Sequence, residues 1–479
     1  MKNSDVIVIG GGIAGLAAAH RLATLGQGAV TVRVLEAGGR VGGRLDKVQV
    51  HGATVDAAAD GVLARRPELV ALLTELGHGD ETMTIAASGA HVFARGALRE
   101  LPRDLQVGIP MRWRSLAASK TMSTRGLLRA LVDVVAPRTV GRGPLQDRAI
   151  GSLVERKLGL EVVNTLVDPM LGGIVAGRVQ DLSAQSLMPP LLEAAQKPGS
   201  LMKAMRDAVP PASDTPPPPA FISVAGGMYR LIDLLDEALE QLGVERILHA
   251  GVTNLHRQQG SDPAWMVDTE TSTYRADAVI VATPAHQSAT LLGSIDREIA
   301  EQLAAIDYAS VGVVTLCLPE FGVTLPEHGT GILIPPASAI PRGPAKGQRF
   351  LTTAVTFLDR KWPVLKQPGT RWLRASVGRI DDERFSRMTD DEIIAVVLDE
   401  LSLVLGPIET PFDAAVTRWM KALPQYRVNH QAKIATMENA VERHKGLALA
   451  GSYLEGVGVP ACIASGRHAA ETIISHQDH

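Results

Sequence analysis

The sequence predicts an α/β chain, α+β overall, in three parts: a doubly wound sheet domain, a mixed-sheet domain and a helical insertion domain. Three observations lead there. Two short apolar runs flank a glycine triplet and a helical pattern within about thirty residues, the layout of a βαβ unit. Strand signals then fade between about residues 105 and 209, leaving helix-compatible stretches. Apolar runs of strand length return between residues 305 and 420, as a second sheet requires.

In chain order, Val6–Ile9 is a strand that stops at glycine, Ile13–Leu25 a helix ended by Gly26, and Val30–Leu35 the second strand. Ala64–Leu76 reads as a helix closed by Gly77. Leu127–Val135, Gly151–Leu158 and Glu161–Leu166 are the helical stretches of the insertion. Pro210–Ala220 is too rich in proline for helix or central strand, so it predicts an extended linker. Ser223–Gly243 is a turn and an amphipathic helix, and Ala276–Ala285 a buried strand leaving into a loop. The second sheet draws on Val311–Leu318, Gly331–Ile334, Phe350–Phe357 and Leu373–Val377. The last segment reads strand, glycine-rich turn, helix, with the helix opening at Pro460. The tail Ser475–His479 is expected to be disordered. These boundaries divide the chain into 1–85 with 215–290 and 425–479, 86–104 with 291–424, and 105–214.

Bulk properties narrow the function. A chain of 479 residues exceeds one core, and a net charge of −3 disfavours nucleic acid as the main partner. Cys317 and Cys462 each sit in an apolar run, with neither a disulfide framework nor metal spacing, so no metal is expected and a reducing cytoplasm suits the chain. The first strand follows Met1 too closely for a secretory leader, and no apolar run reaches the length of a spanning helix.

Gly10-Gly11-Gly12-Ile13-Ala14-Gly15 is a G-x-G-x-x-G between strand and helix, the context in which that motif binds a dinucleotide in a Rossmann-like domain. Gly10 permits the tight turn, Gly12 lets a pyrophosphate reach backbone N–H groups, and Gly15 lets the helix approach the strand. The helix N-terminus adds its partial positive charge. Glu36, followed by Ala37, ends the second strand about twenty residues on, where a carboxylate accepts from ribose hydroxyls. Arg40-Val41-Gly42-Gly43-Arg44 follows at once: its glycines admit phosphate or flavin to the backbone, and its arginines carry fixed positive charge. At the far end, Gly451 and Gly456-Val457-Gly458-Val459 precede a helix whose N-terminus suits the ring end of a flavin.

The R-x-G-G-R resembles the fingerprint of the flavin amine oxidase and porphyrinogen oxidase superfamily. Asp168–Pro189, Gly329–Pro336, Val416–His430 and Gly456–Ala470 are similar to segments of the oxygen-dependent porphyrinogen oxidases, above all the bacterial type acting on coproporphyrinogen III. That resemblance implies FAD, O₂ as acceptor, H₂O₂ as product and a six-electron oxidation in haem biosynthesis. It adds Val252 and Trp419 to the cofactor residues. It places Leu171, Gly172, Gly173 and Ile174 on one wall of the macrocycle cleft, with Thr330, Gly331, Ile332 and Leu333 on the other. Arg66, beside Arg65, is the expected basic residue supporting activity, with Arg95 and Arg178 as weaker partners for propionates. The plant and mammalian protoporphyrinogen enzymes carry an arginine near the position of Ala90, and this chain does not, so its propionate recognition must differ.

No triad or catalytic metal motif appears, in keeping with a cofactor that performs the hard step. The basic stretch Met111–Arg138 suits a solvated face, anionic lipid or a docked ferrochelatase, leaving peripheral membrane contact open. Protoporphyrinogen IX oxidation, an amine oxidase or desaturase activity, and a non-catalytic porphyrin carrier stay as alternatives. The amine oxidase reading suffers from the single aromatic, Tyr453, near the C-terminal glycines.

Overall fold

The computed structural model describes residues 4–136, 146–209, 219–258 and 264–477. Its first sheet is wholly parallel, in the spatial order Glu245–Ile247, Val30–Leu35, Ser4–Ile9, Ala278–Val281, Leu447–Leu449. The run Val6–Ile9 is apolar throughout because both faces are covered. Val6 and Val8 pack with Leu16 and Leu22 of the first helix, Ile13–Gly26, while Ile7 and Ile9 pack with Trp265, Leu292 and Ile299 on the other face. The last helix, Val459–Gln477, lies on the first so closely that a Cβ at Gly466 would collide with the Ala14 carbonyl.

The second sheet has seven strands, in the order Asp413–Pro424, Tyr308–Pro319, Thr370–Val377, Thr352–Phe357, Gly331–Leu333, His91–Ala94, Ala97–Glu100. All neighbours run antiparallel except Gly331–Leu333 beside His91–Ala94. Side chains alternate across it. Leu373, Ala375, Val355, Phe357 and Ile332 bury one face with Ile393, Val397 and Leu401 of the helix Asp390–Leu405. Leu333, Val92 and Ala94 face the helical part on the other side.

That helical part follows the sequence reading, with helices Thr124–Val135, Ile150–Leu158 and Leu160–Val162, a π-turn Val163–Val167 and the helix Asp168–Val175. Asp133 is buried and joins two of its layers, accepting from Ser200 Oγ (2.7 Å), Leu201 N (3.0 Å) and Met202 N (3.1 Å). The basic stretch is broken at Lys120, whose φ is +54°, into Trp113–Ala118 and Thr124–Val135; Arg138 lies outside the described residues.

Two expectations change. The helix anticipated from Ala64 begins only at Glu68, because Pro67 caps it and Arg65 and Arg66 form a turn closed by Arg66 N to Leu63 O. The tail is helical through Gln477, continuing the packed last helix, with 478–479 outside the described residues. Most of the proline-rich linker, 210–218, also lies outside them.

Candidate active site

The glycine motif stands as its chemistry requires. Gly10 has φ +107° and a Cβ there would meet Ala282 O, while a Cβ at Gly15 would run into Gly10 O. At Gly12 a Cβ would meet nothing within 4 Å, so the backbone is open to a ligand on that side, just before Ile13 and Ala14 start the helix. Glu36 folds onto the turn: Oε2 accepts from Gly11 N (2.7 Å) and Oε1 from Gly38 N (2.7 Å). Ala250 N donates to Glu36 O, and Gly251 lies against the Ala37 side chain, which sets Val252 beside the end of the second strand.

The R-x-G-G-R turn docks on the glycine motif. Gly42 and Gly43 have φ of +105° and +58°, Gly42 N donates to Gly11 O (2.7 Å), and a Cβ on Gly43 would lie 3.2 Å from Gly12 Cα. The two arginines diverge. Arg40 spends its donors on the Val41, Leu45 and Gly43 carbonyls and pairs with Asp46 at 2.6 Å, so it pins its own turn. Arg44 reaches the Ala422 carbonyl on the second sheet, and burial pulls its pKa down.

At the C-terminal end Gly451, φ +148°, donates to Ser465 Oγ (3.0 Å), and the last helix starts at Val459, Cys462 N reaching back to Gly458 O. Gly458 is exposed and Gly456 half-buried, Val457 packs on the helical core, and Val459 turns its side chain into the first-sheet core. The last helix packs along the first, and at the first helix's N-terminus the Gly12 backbone is uncovered. The open backbone at Gly12 leaves room for the phosphates of a dinucleotide at that helix end.

Trp419 donates its indole N–H to Ala57 O (3.0 Å), tying the second sheet to residues 57–61. This segment is fixed by two acids that motif reading missed. Asp56 accepts from Met228 N (3.0 Å) and Tyr229 N (2.9 Å), and burial pushes its carboxyl up to about 6. Asp60 is buried against Lys361 Nζ (2.9 Å), Trp362 Nε1 (3.0 Å) and Arg374 Nη2 (3.0 Å); burial opposes its ionisation, but Arg374 and Lys361 hold it well below the usual carboxylate range. Its partners lie about three hundred residues away in sequence, so no local pattern marks it.

The two expected cleft walls meet, since Asp168–Val175 covers the sheet beside Gly331–Leu333 and Thr352–Phe357. Not every side chain points into the space between. Gly173 is open, and Ile174 is 53% exposed. Leu171 instead lies buried in the helical core, with Gly172 close to Gly177 O. Ile332 is a correction: strand alternation turns it into the core with Phe93, Val355 and Phe357, leaving Gly331 and Leu333 on the other face. Thr330 N donates to Gly89 O, which orders the entry to that strand. Gln425 Nε2 holds Val175 O (2.8 Å), and Arg379 joins Asp168 (3.3 Å) to Gly177 O (2.9 Å), bracing the helix end.

Of the expected basic residues, Arg66 is exposed in the turn before its helix, paired with Glu68 at 2.6 Å, and Arg65 is exposed beside it. Arg95 donates to Met122 O, and Arg178 makes long contacts to Asp181 (3.9 Å) and Asp381 (4.0 Å). Tyr453 is fully buried in the core and walls no cage. Both cysteines are free and buried, and burial pushes each thiol up to about 11.

Residues 13–474 match the model of the flavin containing amine oxidoreductases. The chain belongs to that family. FAD is its cofactor. Over 99% of both chains it is 32% identical to coproporphyrinogen III oxidase of Mycobacterium leprae (strain TN). Coproporphyrinogen III oxidase of Bacillus subtilis (strain 168) is 28% identical over 98% of each. A crystal structure of an Exiguobacterium sp. 255-15 protein, assigned as a protoporphyrinogen oxidase, superposes with a TM-score of 0.86 at 28% identity over the whole of both chains.

Proposed function

We propose that the protein oxidises coproporphyrinogen III to coproporphyrin III, removing six electrons with O₂ as acceptor and H₂O₂ as product, as a step of haem biosynthesis. The observation that carries this reading is end-to-end similarity to enzymes of that name. Bound flavin supplies the hydride acceptor. The chain's part is to hold a flat, apolar macrocycle that bears carboxylates. Gly331 and Leu333 on the sheet, with Gly173 and Ile174 on the facing helix, offer backbone and aliphatic surface for the ring. Gly12, Ile13, Ala14, Gly15, Glu36, Arg44 and the 456–459 turn hold the cofactor.

Three parts divide the labour. The first sheet, with 1–85, 215–290 and 425–479, carries the cofactor. The second, with 86–104 and 291–424, carries the substrate. The helical part, 105–214, roofs the cleft. Among the described residues no helix is long and apolar enough to cross a membrane. To the stretch carrying the exposed Arg112, Arg114, Lys120 and Arg125 we assign peripheral contact with anionic lipid or a ferrochelatase in the cytoplasm.

The test is an aerobic porphyrin-fluorescence assay on the flavin-loaded protein, with coproporphyrinogen III and protoporphyrinogen IX side by side. Faster turnover of coproporphyrinogen III is expected. Faster turnover of protoporphyrinogen IX transfers the assignment to that substrate, the one named for the Exiguobacterium protein; inertness toward both removes it. Arg66→Ala is expected to raise KM several-fold, as loss of one solvent-facing contact to a propionate does. Unchanged kinetics would take Arg66 out of the site.

A further inference from the structure

The helix Asp168–Val175, one wall of the cleft, is poorly equipped to hold its own shape. It follows a π-turn and carries the pair Gly172 and Gly173, which disfavours helix. Ala176, which ends it, has φ +49°, a conformation that a residue with a Cβ keeps when its surroundings impose it. The last carbonyls of a helix find no partner within it. Here the second sheet's chain takes the carbonyls of three consecutive residues. Val175 O accepts from Gln425 Nε2 (2.8 Å), Ala176 O from Ile380 N (2.8 Å) and Gly177 O from Arg379 Nη2 (2.9 Å). Gln425 directly follows the strand Asp413–Pro424, and Arg379 and Ile380 leave the strand Thr370–Val377. Arg379 also reaches Asp168 Oδ2 at the helix start (3.3 Å), while Asp168 Oδ1 accepts from Val179 N (3.0 Å). Both Arg379 and Gln425 are buried. A Cβ on Gly172 would lie 4.0 Å from Arg379 Nη1, and one on Gly177 would run into the Gln425 carboxamide, so both side chains pack against the backbone they hold.

We propose that Arg379 and Gln425 are positioning residues that set the width of the macrocycle cleft, and with it the affinity for the porphyrinogen. The inference rests on the cleft assigned above. The facing wall, Gly331–Leu333, belongs to the same sheet as the two strands that lead into Arg379 and Gln425. Each bond from those residues to the helix end therefore ties one wall of the cleft to the other. With the bonds in place, Gly173 and Ile174 are held against the sheet that carries Gly331 and Leu333, and a flat ring enters a preformed slot. Without them the helix end is left with unpaired carbonyls and Asp168 loses its cation, so each binding event must reorder the wall.

The experiment titrates full-length flavin-loaded protein with coproporphyrin III, the product of the proposed reaction, by fluorescence quenching, and measures turnover of coproporphyrinogen III. Arg379→Met is expected to raise both Kd and KM about tenfold, the weight of one charge-assisted hydrogen bond, with kcat and flavin content at the parent's level. Gln425→Leu removes a neutral donor and raises them about threefold. Arg379→Lys keeps the charge between Asp168 and Asp381 (2.7 Å) without the planar fork, and recovers part of the loss. A merely structural role would lower the melting temperature and flavin content together and leave the folded fraction with the parent's KM. Flavin-bound variants with the parent's Kd and KM, or with kcat reduced at unchanged KM, overturn the proposal. If Arg379→Met does not fold, Gln425→Leu and Arg379→Lys carry the same test. A parent that neither oxidises coproporphyrinogen III nor binds coproporphyrin III removes the functional reading and this inference with it. An active parent whose variants match it removes this inference alone.

Discussion

Replacing Asp56 by asparagine exposes how the cofactor-side loop depends on pH. The Asp56 carboxyl accepts two backbone N–H groups, Met228 N and Tyr229 N, in the turn that leads into the helix Arg230–Gln241. Burial raises its pKa from 3.8 to about 6, against the two hydrogen bonds that lower it. A carboxyl whose folded pKa lies above its unfolded one contributes most below the unfolded value, near pH 4, and loses that contribution as pH climbs through 6. Each tenfold change in proton affinity is worth about 1.4 kcal/mol, so the change amounts to about 3 kcal/mol across that window. Asparagine keeps one acceptor and cannot ionise, so its contribution is flat with pH. The stability of the parent relative to Asp56→Asn should therefore fall by about 2.4 kcal/mol between pH 4 and pH 7.5, most of the full change. Urea midpoints of both proteins, taken at half-unit steps, read this directly, and other titrating groups cancel in the difference. A difference that is constant with pH, or that grows as pH rises, refutes the reasoning.

Other consequences follow from single contacts. Gly15→Ala places a methyl against Gly10 O, and flavin content per chain should drop severely in the purified protein, measured by absorbance. Asp133→Ala strands the Leu201 and Met202 amides and should cost about 3 kcal/mol in chemical denaturation, since each buried unpaired donor costs 1–3 kcal/mol. Cys317 and Cys462, buried with thiols pushed up to about 11, should resist a disulfide reagent in the native protein at pH 8 and both react once it is denatured.

The parts of this molecule that announce themselves in sequence are those whose geometry is local. Gly10, Gly12 and Gly15 serve one turn, Val6–Ile9 is apolar because it is buried on both faces, and the strands of the second sheet follow their apolar runs to within a few residues. What stayed hidden depends on distance or direction. Ile332 was assigned to the cleft because the segment was recognised, but only the sheet register says that its side chain points away. Pro67 shortens the helix after Arg66 by a turn, where apolar spacing alone runs through it. Arg40 and Arg44 look equivalent in a motif, and only folding shows that one binds its own turn while the other crosses to Ala422. Asp60 is silent for the same reason, its partners arriving from positions 361, 362 and 374.

The embrace of the first helix by the last has a consequence for biogenesis. Leu16, Ala17 and Leu22 share one hydrophobic cluster with Ile463, Ala470 and Ile473, and Gly466 meets Ala14 with no room for a side chain. While a ribosome is still extending the chain, the opening βαβ segment is synthesised at once yet cannot shelter its apolar flank until more than four hundred further residues have emerged. A nascent chain stalled before residue 447 would offer chaperones and proteases an unsealed surface.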